Sequence, residues 1–301
     1  MCEQIKVSVC CITYNHGKYI RDCLEGFVSQ KTNFKYEVIV HDDASTDNTP
    51  EIIREYAEKY PKIIKPILQE ENQYSQGVSI FDKYIFPMVN GEYVALCEGD
   101  DYWCDFEKLQ KQVNVLEANH GLVACVHQTR SINCSTGEFG LVSKLNKNGV
   151  IDKKRIFSDY GPVYHTSSLL YRKNILENIP AFCRICKSVG DYPWGIYLAL
   201  KGPIYFINDV MSVYRMFVEG SWSSRTGSNK SNIPLYVDLI KMLESADEYS
   251  NFEYHKYFEI PILNYEYKCW MEKPSLSILK NSRFYKLKMS RKLKLLVKIL
   301  F

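Results

Sequence analysis

No stretch of this sequence approaches the roughly 18 apolar residues that a membrane span requires. Met1 to Lys6 does not form the charged segment and apolar core of a secretory signal, since a strand-like run follows it directly. No internal repeat and no low-complexity tract interrupts the chain, so solenoid and fibrous classes drop out. The net charge is only +3, which argues against a nucleic-acid partner. No GxGxxG and no Walker lysine motif follows the first apolar run, so a Gly-rich phosphate cradle is excluded. Cys183-Arg184-Ile185-Cys186 has CxxC spacing, but no second pair stands nearby to complete a zinc site.

What is present describes an ordinary globular protein. The chain has 301 residues, 46% hydrophobic and 24% charged, enough to bury a sizeable core. Its eleven cysteines, without a leader, fit a reducing cytoplasmic interior. The charge is unevenly placed. From Lys280 to Phe301 there are eight Lys or Arg and no acid, and removing these eight from +3 leaves −5 on the remainder. Such asymmetry marks an interaction tail.

Apolar periodicity gives the element order. Ile5 to Thr13 reads as a strand buried on both faces. The turn Tyr14-Asn15-His16-Gly17 leads to a helix with Ile20, Leu24, Phe27 and Val28 on one face. Tyr36 to His41 is a second strand, and Thr49 is the expected cap of a helix with Pro50 at its first position. Ile63 to Leu68 is a third strand, placed at an edge by Pro66. A helix is expected over Ser79 to Val89 and a fourth strand over Tyr93 to Cys97. Phe106 to Asn119 reads as a helix and Leu122 to Thr129 as a fifth strand. The stretch from Asn133 to Pro162 reads as a long surface loop. A short strand over Ser167 to Tyr171, a helix over Tyr192 to Lys201, and two strands, Ile204 to Ile207 and Met211 to Met216, follow. Beyond Ser228 only helical patterns appear: Ile233 to Tyr249, Glu253 to Met271, and the basic tail. Alternating strands and helices predict an α/β fold with a mostly parallel sheet flanked by helices.

Three polar clusters fall where the first, second and fourth strands end. They are Thr13-Tyr14-Asn15, Asp42-Asp43, and Glu98-Gly99-Asp100-Asp101. In a parallel sheet those ends share one edge, where open α/β sheets bind ligands. Three carboxylates within four residues repel each other unless a cation sits among them, and a hard divalent ion shared with phosphates suits oxygen ligands. A solvated acidic turn is the plainer reading of that tetrapeptide alone. An aromatic face at Tyr14 can stack on a base, and Asp43 can accept from a base N–H or a ribose hydroxyl. Together these residues describe a nucleoside-diphosphate pocket.

Here the chain resembles a known family. VSVCCITYNHGKYIRDCLEGFVSQ, EVIVHDDASTDNTPEII and NGEYVALCEGDDYW, in that order and spacing, resemble glycosyltransferase family 2, inverting enzymes of the GT-A, Rossmann-like fold. The likeness runs from Val7 to Trp103 and continues more weakly to about Trp222. It implies a nucleotide-sugar donor and a Mn²⁺ or Mg²⁺ ion. It puts base and ribose contacts at Tyr14 and Asp43, within a donor site that also takes in Thr13, Asn15, Asp42 and Asp100. It puts the DxD-type metal motif on Glu98, Asp100 and Asp101, with Glu98 in place of the usual first Asp. The catalytic base it implies is Asp191, in Ser188-Val189-Gly190-Asp191-Tyr192. A helix cap is the reading of Asp191 without the family.

One departure stands out. Tyr214-Arg215-Met216-Phe217 resembles the family's YRxH element, but Phe217 replaces the histidine and cannot ligate a metal. His165 is a candidate for the acceptor side and Arg215 for a phosphate contact; structural roles are the alternatives for both. Residues 1–227 are expected to form the catalytic domain and 228–301 a helical C-terminal region. In the tail Leu293, Leu296, Val297 and Leu300 share a helical face edged by lysines, a pattern suited to an anionic bilayer; a solvated, partly frayed terminus is the alternative. The expectation is a cytoplasmic, metal-dependent inverting glycosyltransferase, peripheral to the membrane's inner face. It would use a UDP-sugar and a glycan or lipid-linked acceptor in bacterial surface polysaccharide synthesis. The alternatives are a sugar-phosphate nucleotidyltransferase and a non-catalytic nucleotide- or glycan-binding subunit.

Overall fold

The computed structural model describes residues 4–186, 189–219, 224 and 231–300. The expected boundary at 227/228, Trp222, Ser188 and the terminal Phe301 lie outside the described residues.

The apolar run β1 (Ile5–Thr13) is buried across its centre. Helix α1 (Ile20–Val28) turns Ile20, Leu24 and Phe27 inward, as its spacing requires. Strand β2 (Lys35–Asp42) pairs with β1 in parallel and sets Asp42 opposite Thr13. Helix α2 (Thr49–Lys59) has Asn48, not Thr49, at its N-cap. Thr49 Oγ1 is already engaged, donating to Asp47 and accepting from the His16 N–H. Strand β3 (Ile64–Leu68) lies beside β2 at the sheet edge, with Pro66 opposite Val40.

The helix expected over Ser79 to Val89 is instead one wide turn, Phe81–Ile85, and a 3-10 turn, Phe86–Met88. Pro87 has no N–H to donate, so a regular α ladder stops there. Strand β4 (Tyr93–Leu96) pairs in parallel with the other side of β1. Two-residue β5 (Tyr102–Trp103) precedes helix α3 (Lys108–Ala118), which buries Leu109, Val113 and Leu116. Strand β6 (Ala124–Asn133) follows. The segment expected to be a loop contains β7 (Phe139–Leu141), β8 (Gly149–Val150) and helix α4 (Lys153–Ser158), whose cap Asp152 accepts from the Lys154 N–H. β7 is exposed at all three positions, so it has no buried face to leave a pattern in the sequence.

Where one strand was expected from Ser167 to Tyr171, Thr166–Ser168 wind into a 3-10 turn and β9 (Leu170–Arg172) follows. Helix α5 (Asp191–Lys201) comes next. The two strands expected after it are one, β10 (Ile204–Met216), whose register against β6 slips between Ile207 and Ser212. Asn208 and Asp209 sit in that bulge, which is why the sequence pattern breaks there. Among the described residues from 231 on, four α-helices follow: α6 (Ile233–Tyr249), α7 (His255–Glu272), α8 (Ser282–Lys286) and α9 (Met289–Leu300).

The sheet order is β3-β2-β1-β4-β9-β6-β10-β5, with β7 on β6 and β8 on β10. β3, β2, β1 and β4 run parallel, as do β6 and β10, while β9 and β5 run antiparallel to their neighbours. Two compact units result. The first comprises Met1–Ile151, Tyr164–Asn178 and Lys201–Ser221. Its core joins β1, β2 and β4 to α1, α2 and α3 through Val9, Val38, Phe27, Ile53 and Leu116. A lysine is sealed into this unit. Lys108 is fully buried, donates to Gln112 Oε1 at 2.7 Å and lies 3.9 Å over the Trp103 ring. Burial pushes its amine down to about 7.

The second unit comprises Asp152–Val163, Ile179–Leu200 and Trp222–Phe301. Phe157 of α4 packs on Phe258 and Tyr254, each with ring centres 4.9 Å away. Tyr192 donates to the Asp159 carbonyl and Tyr265 to the Tyr160 carbonyl.

Candidate functional site

The sheet's parallel register brings the three polar clusters together. Thr13 ends β1 opposite Asp42, and the Asp43 N–H donates to the Thr13 carbonyl at 3.0 Å. Past β4, the Gly99 N–H donates to the Ile12 carbonyl at 2.9 Å. A β-carbon on Gly99 would come within 2.6 Å of Thr13 Oγ1, so only glycine lets the acidic turn approach β1 this closely.

The side chains at this edge divide into holders and candidates. Asp42 is buried and accepts from both the N–H and the hydroxyl of Ser45. Asn15 receives the Thr46 N–H on its Oδ1, while its own N–H donates to Ser45 Oγ. These bonds clasp the two turns to one another. Asn15 and Ala44 both hold left-handed backbone, at φ 55° and 62°. Such conformations cost energy for residues other than glycine and cluster at functional sites. The Asp43 carboxylate accepts the N–H groups of Gln73 and Tyr74 at 2.8 and 3.0 Å, fixing the loop after β3. Beside them the Tyr14 ring is 45% exposed, open to solvent.

The acidic turn points inward. Asp101 is buried, and its Oδ1 accepts the Arg215 N–H at 2.9 Å. Its Oδ2 is buried with no hydrogen-bond partner, as is Thr13 Oγ1 nearby in the chain's fold. Burial, then the charges of Asp100 and Glu98, hold the Asp101 carboxyl well above the usual carboxylate range. Glu98, Asp101 and His165 each bring a ligand-type atom within 4.8 Å of the other two. His165 Nδ1 accepts the Ser167 N–H and lies 3.7 Å from Asp101 Oδ2. Burial pushes this imidazole down to about 3, so at neutral pH the contact is not an ion pair. The unpartnered Asp101 oxygen and the His165 ring, whose Nδ1 is engaged with Ser167, border the same small space, and a cation there would satisfy the carboxylate.

Arg215 frames this cluster. It donates to the Asp100 carbonyl at 2.9 Å, pairs with Asp22, and lies over the Tyr102 ring at 4.5 Å. The Tyr214 ring stacks on His165 at 4.1 Å. The Asp100 carboxylate lies 3.9 Å from His16 Nε2, outside the Glu98–Asp101–His165 group. Sequence reasoning took His16 only as turn material. Its ring is lowered by burial and pulled back up by Asp100, Asp47 and Asp42. Its place directly after Thr13-Tyr14-Asn15 was the available signal. Asp191 belongs to the second unit, at the first position of α5. Its Oδ1 accepts the Tyr192 N–H at 2.8 Å, and burial raises its carboxyl above the ordinary value of 3.8.

Residues 8–179 match the sequence profile of glycosyl transferase family 2. The chain belongs to that family. Among relatives in sequence, an uncharacterised protein of Mycobacterium bovis is 37% identical over 226 residues, covering 72% of this chain and 61% of that protein. The chain thus spans about three-fifths of that relative's length. The putative teichuronic acid biosynthesis glycosyltransferase TuaG of Bacillus subtilis is 34% identical over 110 residues, covering 36% of this chain and 41% of TuaG. In structure, S. aureus TarS 1–349 in complex with UDP-GlcNAc superposes with a TM-score of 0.65 at 21% identity, covering 97% of this chain and 79% of TarS 1–349. That likeness places the family-2 chain in the same mixed α/β, GT-A type fold. Among the described residues no helix is long and apolar enough to cross a membrane.

Proposed function

We propose that this chain is a metal-dependent inverting glycosyltransferase acting in bacterial surface polysaccharide synthesis. It takes a sugar from a nucleoside-diphosphate donor, with UDP favoured, and passes it to a glycan or lipid-linked acceptor. One observation carries the reading. A buried Asp101 oxygen without a partner faces Glu98 and His165 at the sheet edge where Tyr14 and Asp43 also end. The family profile supports transfer of a sugar, the UDP-GlcNAc held by TarS supports a uridine donor, and the name of TuaG supports a surface polymer.

In this reading Glu98, Asp101 and His165 would hold a divalent ion. Two carboxylates suit Mg²⁺ or Mn²⁺, and the imidazole tilts the choice towards Mn²⁺. His165 would supply the nitrogen that Phe217 denies, exchanging its Nδ1 contact with Ser167 for the ion. When bound, the ion supplies Lewis-acid stabilisation of the departing diphosphate. The chain's own residues do the rest. Tyr14 stacks on the base, and Asp43 accepts from the base or ribose. Thr13, Asn15 and Asp42 set the shape of the donor turn, with Asp100 beside them. Arg215 orients the Asp101 carboxylate through its N–H and adds positive charge. Asp191 takes the proton of the acceptor hydroxyl, whose oxygen bonds to the anomeric carbon as the bond to phosphate breaks. Residues 1–227 would carry this chemistry.

The test is donor turnover with a panel of nucleotide sugars and Mn²⁺, read as release of nucleoside diphosphate. Wild type is expected to release it, and Asp101→Ala to lose at least about a hundredfold in rate while keeping its far-UV circular dichroism. Release of pyrophosphate would identify nucleotidyl transfer instead. Failure to turn over any donor would favour a binding subunit.

A further inference from the structure

Helix α9 has two apolar sides, and only one is used in packing. Leu295 is fully buried against Ile278, Phe284 and Leu287, with Leu296 and Ile299 partly buried beside it. Turned away from these are Met289, Leu293, Val297 and Leu300, between 57% and 70% exposed. Their spacing of four, four and three residues makes a single stripe along twelve residues of helix. The sequence expectation is corrected in one respect: Leu296 leaves the exposed face and packs on the helical cluster.

The cations around that stripe differ from those just before it. Arg283 pairs with Glu244 and Glu266, and Lys286 with Glu259. Further on, Arg291 donates to the Asn264 amide oxygen and lies 4.9 Å over the Tyr267 ring, while Lys292 and Lys298 donate to backbone carbonyls. Lys288 and Lys294 form no ion pair among the described residues. Five positive charges in and just before α9 therefore have no acidic partner among the described residues, and Lys288 and Lys294 are exposed, in a stretch from 280 to 301 that contains no Asp or Glu.

We infer that this face of α9 docks on an anionic bilayer surface. Apolar side chains along one line, edged by uncompensated lysines, fit the boundary between acyl chains and anionic headgroups. A second copy of the chain would bring like charges face to face, which disfavours self-association through this stripe. The inference is independent of which sugar is transferred.

The experiment is co-sedimentation of the full chain with phosphatidylcholine vesicles, with and without phosphatidylglycerol. Binding is expected only with phosphatidylglycerol, and weaker as salt rises. Lys288→Gln and Lys294→Gln should each weaken partition about fivefold. Leu293→Ser combined with Val297→Ser should weaken it by about tenfold or more. All four positions are away from the packed side, and an unchanged melting temperature checks that the fold is kept. Equal binding to both vesicle types, or indifference to both sets of substitutions, overturns the inference. So does a dimer in sedimentation velocity that Leu293→Ser dissociates while vesicles bind nothing.

Discussion

At the scale of single residues, Asp191 and Asp101 carry most of the proposed chemistry. Both are carboxylates that burial holds above their ordinary range. For Asp191 this sets the sign of the pH dependence. A general base works only when ionised, so activity should fall on acidification as Asp191 takes up its proton, with the midpoint above 3.8. Asp191→Asn is expected to lower kcat by about 10²–10⁴-fold and to remove that acid limb from the kcat/KM profile. A variant that retains the limb would move the base elsewhere. Asp101 was legible in the sequence because three acids beside an apolar run make little sense without a cation. The pairing with His165 was not, because sixty-odd residues and a non-local strand pairing separate them. The holding role of Asp42 was equally hidden: spacing says where a carboxylate is, not which hydroxyl reaches it first.

At the scale of elements, the long apolar runs declared themselves and the short ones did not. β1, β2 and α1 bury continuous faces, so their periodicity is strong. β5 and β8 have two residues each and exist only through their partners on β10. The packing of α1 on β5 depends on Gly26. A β-carbon there would lie 2.7 Å from the Trp103 carbonyl oxygen and 3.0 Å from its nitrogen. Alanine would gain about 1 kcal/mol in helix propensity. It would lose more by pushing α1 off the strand, at about 1–3 kcal/mol for overpacking. Gly26→Ala should therefore lower the unfolding midpoint in urea, and a rise would show that the helix shifts without strain.

At the scale of the whole molecule, a lysine sealed in the first core leaves a mark on stability. The Lys108 amine titrates near 10.5 when exposed and near 7 when folded. Between those values the unfolded chain binds the extra proton, so this residue makes folding more favourable as pH rises and less favourable as it falls. Wild type should therefore gain on Lys108→Met by about 2 kcal/mol from pH 7 to pH 9, read from paired denaturation curves. A constant gap would mean that Lys108 stays charged in the fold. Nothing in the sequence announced this, since a lysine on an amphipathic helix ordinarily reaches solvent.

The bulge in β10 has a consequence for how far this chain can vary. Two steps along β6, from His127 to Thr129, are matched by five along β10, from Ile207 to Ser212. The surplus is odd, so the up-and-down alternation of side chains is inverted between the two halves of the strand. Arg215 sits in the second half. Losing a single residue at Asn208 or Asp209 would restore even parity and send its guanidinium through to the opposite side of the sheet, away from Asp100 and Asp22. The length of that kink therefore sets the phase of everything downstream of it.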